Sequence, residues 1–85
     1  MNKQKILENI CYTELVYGRI NKKLDIVFSK KEIEEYLYEI LKATDVNFFV
    51  KLGKNYYVTS VENNIKITIN SNTFRIITVD KLQKK

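Results

Sequence analysis

Apolar side chains in the first half of the chain recur at spacings of three and four residues, which is the period of one helix face. This pattern predicts a first helix over about residues 3–23. Gly18 lies inside that helix and marks a kink or an early end of it. The lone Cys11 is expected to be a buried, small side chain of the same helix. The inward positions are Ile6, Leu7, Ile10, Thr13, Tyr17, Ile20 and Leu24.

A capping box marks the start of a second helix. Ser29 and Glu32 form the pattern in which each side chain accepts a hydrogen bond from the backbone N–H of the other residue. It predicts a helix over about residues 30–43. Acidic residues crowd its first turn, where the helix dipole favours negative charge. The inward positions are Ile33, Leu37, Ile40 and Leu41.

After Asp45 the period of the apolar positions changes to two, which is the period of a β-strand. Runs rich in β-branched and aromatic residues are separated by short polar turns. These runs predict four strands, over residues 46–52, 55–61, 65–69 and 73–79.

Together these elements predict an α+β fold, in which two N-terminal helices pack on one face of a three- or four-stranded antiparallel sheet (order ααββββ). Ile65, Ile67 and Ile69 then point toward the helices. The chain is expected to be one domain over residues 1–85, with a helical half at 1–44, a β meander at 45–80 and a basic tail at 81–85.

The composition excludes several kinds of chemistry. The 85 residues include no His, no Pro, one Cys and two Gly. They supply no Cys/His zinc site, no intrachain disulfide, no Ser-His-Asp or Cys-His triad and no glycine-rich phosphate loop. We therefore expect a protein that is not an enzyme and that holds no cofactor or metal.

Hydropathy and cysteine usage point to the cytoplasm. No apolar run approaches the roughly 18 residues that span a bilayer, so no membrane partner is expected. Polar residues interrupt the first ten positions, which breaks up the apolar core of a signal peptide. A single Cys11 with no such signal fits a reducing compartment.

The net charge of +5 has two interpretations. A basic chain favours nucleic acid as a partner. However, Lys, Ile and Asn make up 33 of the 85 residues, which is also what an AT-rich genome encodes. Only Arg19 and Arg75 are arginines, the residue that phosphate and base readers favour.

The sheet face away from the helices is the first candidate site, because a sheet covered on one side leaves its other face for solvent or a partner. Either Tyr56 or Tyr57 points outward there, and the same choice applies to Phe48 and Phe49, because neighbouring residues of a strand point to opposite faces. Aromatic side chains among lysines suit stacking on bases, while the alternative is that one aromatic of each pair is core and the other caps an edge. The candidate binding residues are Lys51, Lys54, Tyr56, Tyr57, Lys66, Asn70, Arg75, Thr78 and Asp80.

Two further features leave alternatives open. Arg75 in an apolar strand needs a carboxylate, a phosphate or water, and a local pair with Asp80 would make both residues structural. Tyrosines on the helices, among them Tyr12 and Tyr38, are either interface residues or half-buried side chains with a hydrated hydroxyl.

Three stretches resemble those of a family of small bacterial proteins of unknown function: ICYTELVYGRINKKL (10–24), GKNYYVT (53–59) and TINSNTFRIITVDKL (68–82). The resemblance covers most of the chain and implies no activity, substrate or catalytic residue. A family site is expected among the residues of these stretches. Those residues are Arg19, Asn21, Gly53, Lys54, Asn55, Tyr57, Asn70, Arg75, Thr78 and Asp80.

A second likeness is to ribosome-dependent, mRNA-cleaving toxins. These are small and basic, and their late strand often carries a stretch similar to Phe-Arg-Ile-Ile at residues 74–77 here. The likeness implies Lys54, Tyr57 and Arg75 as charge-stabilising and stacking residues. The sequence departs from that pattern, since no strand precedes the helices and the second clustered arginine or histidine is missing.

The leading hypothesis is a small, non-enzymatic module that binds another protein as a regulator or inhibitor, of the kind that phages and mobile elements carry. The alternatives are a nucleic-acid binder that uses the basic sheet face, or an mRNA-cleaving toxin. An open sheet edge also suits pairing with a second copy as a homodimer.

Overall fold

A computed structural model describes residues 1–83 of the chain. Its helices are α1 (Lys3–Asn9), α2 (Glu14–Leu24), α3 (Lys30–Ala43) and a 3-10 turn (Val46–Phe48). Its strands are β1 (Phe49–Leu52), β2 (Asn55–Ser60), β3 (Ile65–Asn70) and β4 (Ile76–Lys81). The α+β class and the antiparallel meander are confirmed, with strand order β1-β2-β3-β4. Of the predicted basic tail, Lys81 is instead the last residue of β4, and residues 84–85 lie outside the described part of the chain.

The prediction of one helix over residues 3–23 was wrong, since α1 and α2 are separate. The break lies at Cys11, which forms an isolated parallel bridge with Arg75. The Cys11 N–H donates to the Phe74 carbonyl at 3.0 Å, and the Ile76 N–H donates to the Cys11 carbonyl at 2.8 Å. Cys11 is exposed and lies outside the helices. These backbone hydrogen bonds to a distant loop take the place of helical ones, which gives three helices instead of two.

Gly18 does not end a helix; it is exposed in the interior of α2. A Cβ added there meets no atom within 4 Å. We expect Gly18→Ala to raise the free energy of unfolding by about 0.5–1 kcal/mol, because alanine has the higher helix propensity. Urea unfolding measures the change.

Gly53 supplies the matched control. A Cβ there also meets no atom within 4 Å, but φ is +60°, a conformation that side chains disfavour. Gly53→Ala is therefore expected to destabilise the fold by about 1 kcal/mol. Equal effects of the two substitutions would contradict this account of Gly18.

The capping box of α3 forms as predicted. The Ser29 hydroxyl accepts from the Glu32 N–H at 3.1 Å, and the Glu32 carboxylate accepts from the Ser29 N–H at 2.8 Å. All four predicted inward residues are buried. They are Ile33, Leu37, Ile40 and Leu41.

The strands differ from the prediction at both ends of the sheet. The 3-10 turn occupies the start of the predicted first strand, so β1 begins only at Phe49. The last strand begins at Ile76 instead of residue 73, because Asn70 holds a turn there. Its side-chain oxygen accepts from the N–H groups of Asn72 and Thr73 at 2.8 and 2.9 Å.

One face of the sheet packs against the helices. Its central row, Phe49, Val58, Ile67 and Val79, pairs across all four strands and is buried. The predicted inward trio Ile65, Ile67 and Ile69 lies on this face and is also buried. Helix α2 lies against β4, whereas no strand within residues 1–83 pairs with the outer edge of β1.

Candidate protein-binding surface

The side of the sheet away from the central buried row is called the open face below. Strand alternation and register assign ten residues to it. They are Val50, Leu52, Asn55, Tyr57, Thr59, Lys66, Thr68, Asn70, Thr78 and Asp80.

The register settles which aromatic residues point outward. Tyr57 lies on the open face, and the Lys66 ammonium sits 5.6 Å from the centroid of its ring. Tyr56 lies on the opposite face and packs against the core. Phe49 is likewise buried at 7% exposure, whereas Phe48 is 48% exposed. The phenylalanines therefore divide into one core and one exposed residue, whereas both tyrosines are half-buried and differ in the face of the sheet on which they lie.

Two more of the predicted lysines lie close to the open face without belonging to it. Lys51 pairs with Tyr56 across β1 and β2, so it projects from the helix side, yet it is exposed at the sheet edge. Lys54 lies in the two-residue turn between β1 and β2. Lys54 thus lies at the turn end of β2, whereas Lys66 lies opposite Thr59, toward the other end of that strand, and pairs with Asp80 across β3 and β4.

Of the alternatives left open for Arg75, a local pair with Asp80 is not what the structure has. The Asp80 carboxylate instead accepts from the Lys23 ammonium at 2.8 Å, so α2 reaches the open face along β4. Arg75 is exposed in the loop before β4, where its backbone pairs with Cys11. Arg75 therefore stands apart from the open face.

The side chains of Asn70 and Thr78 contribute to the fold and leave little polar surface for a partner. The Asn70 side chain accepts two backbone hydrogen bonds in its turn. The Thr78 hydroxyl oxygen is buried without a hydrogen-bond partner among the described residues, and neighbouring Thr68 is only 5% exposed. The accessible part of the open face is consequently its β1–β2 side.

An exposed apolar row, missed by the sequence analysis, runs along that side. Val50 and Leu52 are 49% and 64% exposed. We call these two residues the β1 row. Phe48, which is 48% exposed, lies in the 3-10 turn before β1 and borders a cavity that Ile40 and Ala43 of α3 also line. The alternate spacing of Val50 and Leu52 was a signal in the sequence that could have identified the row. The strand predicted over residues 46–52 does not show which of its two alternating sets of side chains faces the core, so the exposed set could not be recognised. Contiguous apolar surface of this kind marks an interaction site more often than scattered single residues do.

Tyr12, between α1 and α2, and Tyr17 on α2 form a separate cluster with Glu34. The rings of Tyr12 and Tyr17 stack with centroids 5.3 Å apart, and the Tyr17 hydroxyl donates to the Glu34 carboxylate at 2.6 Å. The Tyr12 hydroxyl is buried with no partner among the described residues. Burial, with the charge of Glu34, raises the pKa of Tyr12 well above its usual range. Desolvation and then the Glu34 hydrogen bond raise the pKa of Tyr17 to about 12.

This cluster gives the fold a predicted dependence on alkaline pH. The neutral Tyr17 phenol is favoured in the folded state, so its contribution to stability is complete below the unfolded pKa of about 10. That contribution is lost as the pH rises from there to about 12, the folded pKa. We expect Tyr17→Phe to flatten this part of the stability curve and to remove one late step from the ultraviolet phenolate titration.

Tyr38→Phe, a change on α3 outside the cluster, is the control and should leave the late titration steps in place. A titration in which the tyrosines of the native protein ionise together in one early step would contradict the predicted cluster.

A groove of about 590 Å³ runs along α3 and differs in charge from the open face. Phe28 and Tyr36 lie in it, with their rings edge to face at 5.6 Å between centroids. Glu32, Glu35 and Glu39 line it at helical spacing. An acidic surface is thus repelled from this groove and attracted to the lysines around β1 and β2.

Two classes of feature are absent from residues 1–83. There is no group of three or more Cys, Asp or Glu residues placed to hold a metal ion. None of the helices there is both long enough and apolar enough to cross a membrane.

Comparison with known proteins gives one match. A family model described as "Protein of unknown function (DUF3781)" matches residues 4–80. Among curated proteins and among solved structures, nothing matches. The resemblance to a small uncharacterised family is confirmed, whereas no match supports the likeness to mRNA-cleaving toxins.

Proposed function

The chain belongs to the DUF3781 family of proteins of unknown function, and we propose from its surface that it is a non-enzymatic, protein-binding regulator or inhibitor. Its partner is a protein with an acidic surface that has an apolar centre. The observation that carries this proposal is the exposed β1 row beside Tyr57, with Lys66 against the Tyr57 ring, Lys54 in the adjacent turn and Lys51 at the edge of the sheet.

The apolar part of this surface supplies the affinity. Val50 and Leu52 are about half exposed or more, and Val50 pairs directly with Tyr57. Aromatic and aliphatic side chains that lose water on binding are the usual centres of protein interfaces. A partner that covers these residues removes apolar area from water, and its own surface or active site is blocked in the process.

The charged part sets the specificity. The three lysines and the net charge of +5 attract an acidic partner, and the acidic groove along α3 turns it toward the open face. The exposed, free Cys11 thiol supports a location in the cytoplasm, where thiols stay reduced.

The test is capture of a partner from a bacterial lysate with two matched variants of the immobilised chain. We expect one protein to be retained in near-stoichiometric amount after nuclease treatment. Lys54→Glu combined with Lys66→Glu should lower its retention about tenfold, which is ~1.4 kcal/mol. Lys22→Glu combined with Lys31→Glu reverses two exposed lysines on α2 and α3, so it changes the net charge equally; it is the control and should retain the partner.

Two outcomes would contradict the proposal. Equal retention by the open-face variant and by the wild type would place the partner elsewhere on the molecule. RNA or DNA retained instead, and lost as the salt concentration rises, would establish the alternative of nucleic-acid binding on the basic face, because phosphate contacts release counterions.

A further inference from the structure

We propose that the groove between α3 and the turn from β2 to β3 is a docking site for a basic, amphipathic helix of a partner protein. The groove of about 590 Å³ along α3 is its largest part, and cavities of about 210 and 150 Å³ extend it at either end. Asn63 lines all three. Ile40 and Ala43 are shared by the largest and the 210 Å³ cavity, and Phe28 and Tyr36 by the largest and the 150 Å³ cavity. The three form one continuous depression, which is called the α3 groove below.

The α3 groove has apolar side chains that are open to solvent. Phe48 and Val61, which line its 210 Å³ end, are 48% and 71% exposed. Ala43 is exposed, and the rings of Phe28 and Tyr36 are half-buried. Apolar groups gathered in one groove mark an interaction site more often than scattered single residues do. A helix with an apolar face would remove them from water.

The charge of the groove determines what kind of helix it attracts. Five of the ten Asp and Glu residues of the chain line it, although Lys and Arg outnumber Asp and Glu by 15 to 10. Within residues 1–83, none of these five pairs with a lysine or an arginine, and Lys81 is the single basic residue that lines the groove. A basic segment is therefore attracted here by a chain whose net charge repels it elsewhere. The five acidic residues are Glu32, Glu35, Glu39, Asp45 and Glu62.

The walls of the groove favour a helix over an extended peptide. Of residues 1–83, those that line its largest part belong to α3 or to the loops at Phe28 and Asn63, and none belongs to a strand. An extended peptide finds no strand edge there to which it could add, whereas a helix satisfies its own backbone hydrogen bonds and binds through side chains. Glu32, Glu35 and Glu39 recur at spacings of three and four along α3. They can therefore face lysines that recur with the same spacing on a helix alongside.

This inference does not rest on the proposed function, because the α3 groove and the open face are different surfaces. Within residues 1–83, Thr59 is the one residue that they share. The groove is acidic and the open face is basic, so each attracts a partner that the other repels. A segment held in the groove leaves Tyr57 and Lys66 accessible.

A model peptide tests the groove. It has about 18 residues, which is long enough to form a helix, with leucines along one face and lysines on the rest. We expect it to bind the full chain, as measured by fluorescence anisotropy, about tenfold more tightly than a peptide of the same composition whose leucines are scattered around the helix. The scattered peptide has the same charge, so the difference measures the apolar part of the groove.

Single substitutions locate the site. Glu39→Lys should weaken binding of the peptide about tenfold, because the new lysine repels it and also pairs with Glu35 one turn away. Glu8→Lys, the same reversal on an exposed residue of α1, is the control and should bind like the wild type. Val61→Ser should weaken binding about fivefold, whereas Val50→Ser on the open face should not. All four residues are exposed, so the unfolding midpoint should change little.

Three results would overturn the proposal. They are equal binding by the Glu39 and Glu8 variants, a loss of binding in Val50→Ser in place of Val61→Ser, and a peptide that stays unbound at about 1 mM chain. If the chain then sediments as an oligomer that Glu39→Lys dissociates, a second copy fills the groove instead. A chain that binds the peptide but captures no acidic partner would overturn the proposed function alone, and the reverse result would overturn this inference alone.

Discussion

Replacing Ile67 with alanine is expected to lower the free energy of unfolding by about 2–5 kcal/mol. Ile67 is fully buried on β3, a central strand, between Val58 on β2 and Val79 on β4, which are also fully buried. Removal of its outer carbon atoms leaves a cavity that strands paired on both sides cannot close. A chain of this size has a total stability of only about 4–13 kcal/mol, so this one change removes a large part of it.

Urea denaturation measures this effect, and the midpoint should fall while the slope of the transition stays unchanged. Val27→Ala is the control, because Val27 is 96% exposed and the same class of truncation there should alter stability by less than about 0.5 kcal/mol. Equal losses from the two substitutions would show that β3 is not the centre of the core.

The parts of the fold that could be predicted are those fixed by short-range patterns. The capping box at Ser29 and the apolar spacing of α3 are local, and the structure has both. The alternation of Ile65, Ile67 and Ile69 likewise assigns one side of β3 to the core. In each case neighbouring residues contain the information that the structure uses.

The break between α1 and α2 could not be predicted in this way. The apolar spacing of three and four continues through Ile10 and Thr13, and it favours an uninterrupted helix. The deciding interactions are backbone hydrogen bonds of Cys11 with Phe74 and Ile76, more than sixty residues further along the chain. Phe74 itself has φ +60°, an unfavourable conformation for an aromatic residue, which this pairing holds in place.

The candidate site was predicted in its residue types and only partly in its arrangement. Tyr57 and Lys66 do meet on the open face, because strand alternation places them there. Asp80 pairs with Lys23 instead of Arg75, because the chain turns from Asn70 to Arg75 and leaves the arginine outside β4. Sequence distance is a poor guide to ionic partners, since Lys23 lies 57 residues from Asp80.

The second large effect is expected at Asn21, which lies in one of the stretches that resemble the family. Its side-chain amide donates to the Phe28 carbonyl at 3.0 Å, and its side-chain oxygen accepts from the Phe28 N–H at 3.1 Å. Its own carbonyl accepts from the Ile26 N–H at 3.0 Å. Asn21 therefore holds the whole connection between α2 and α3 against α2.

Asn21→Ala is expected to lower the free energy of unfolding by about 2–3 kcal/mol, because two partly buried backbone groups of Phe28 lose their partners at once. Asn21→Asp keeps the acceptor but places a carboxylate against the Phe28 carbonyl, so it should not restore stability. Asn72→Ala is the matched control: Asn72 is exposed and joins its turn through its backbone N–H, which alanine retains. If Asn21→Ala were as stable as this control, the structural role of Asn21 would be contradicted. Its place in a stretch that resembles the family would then point to a role in binding.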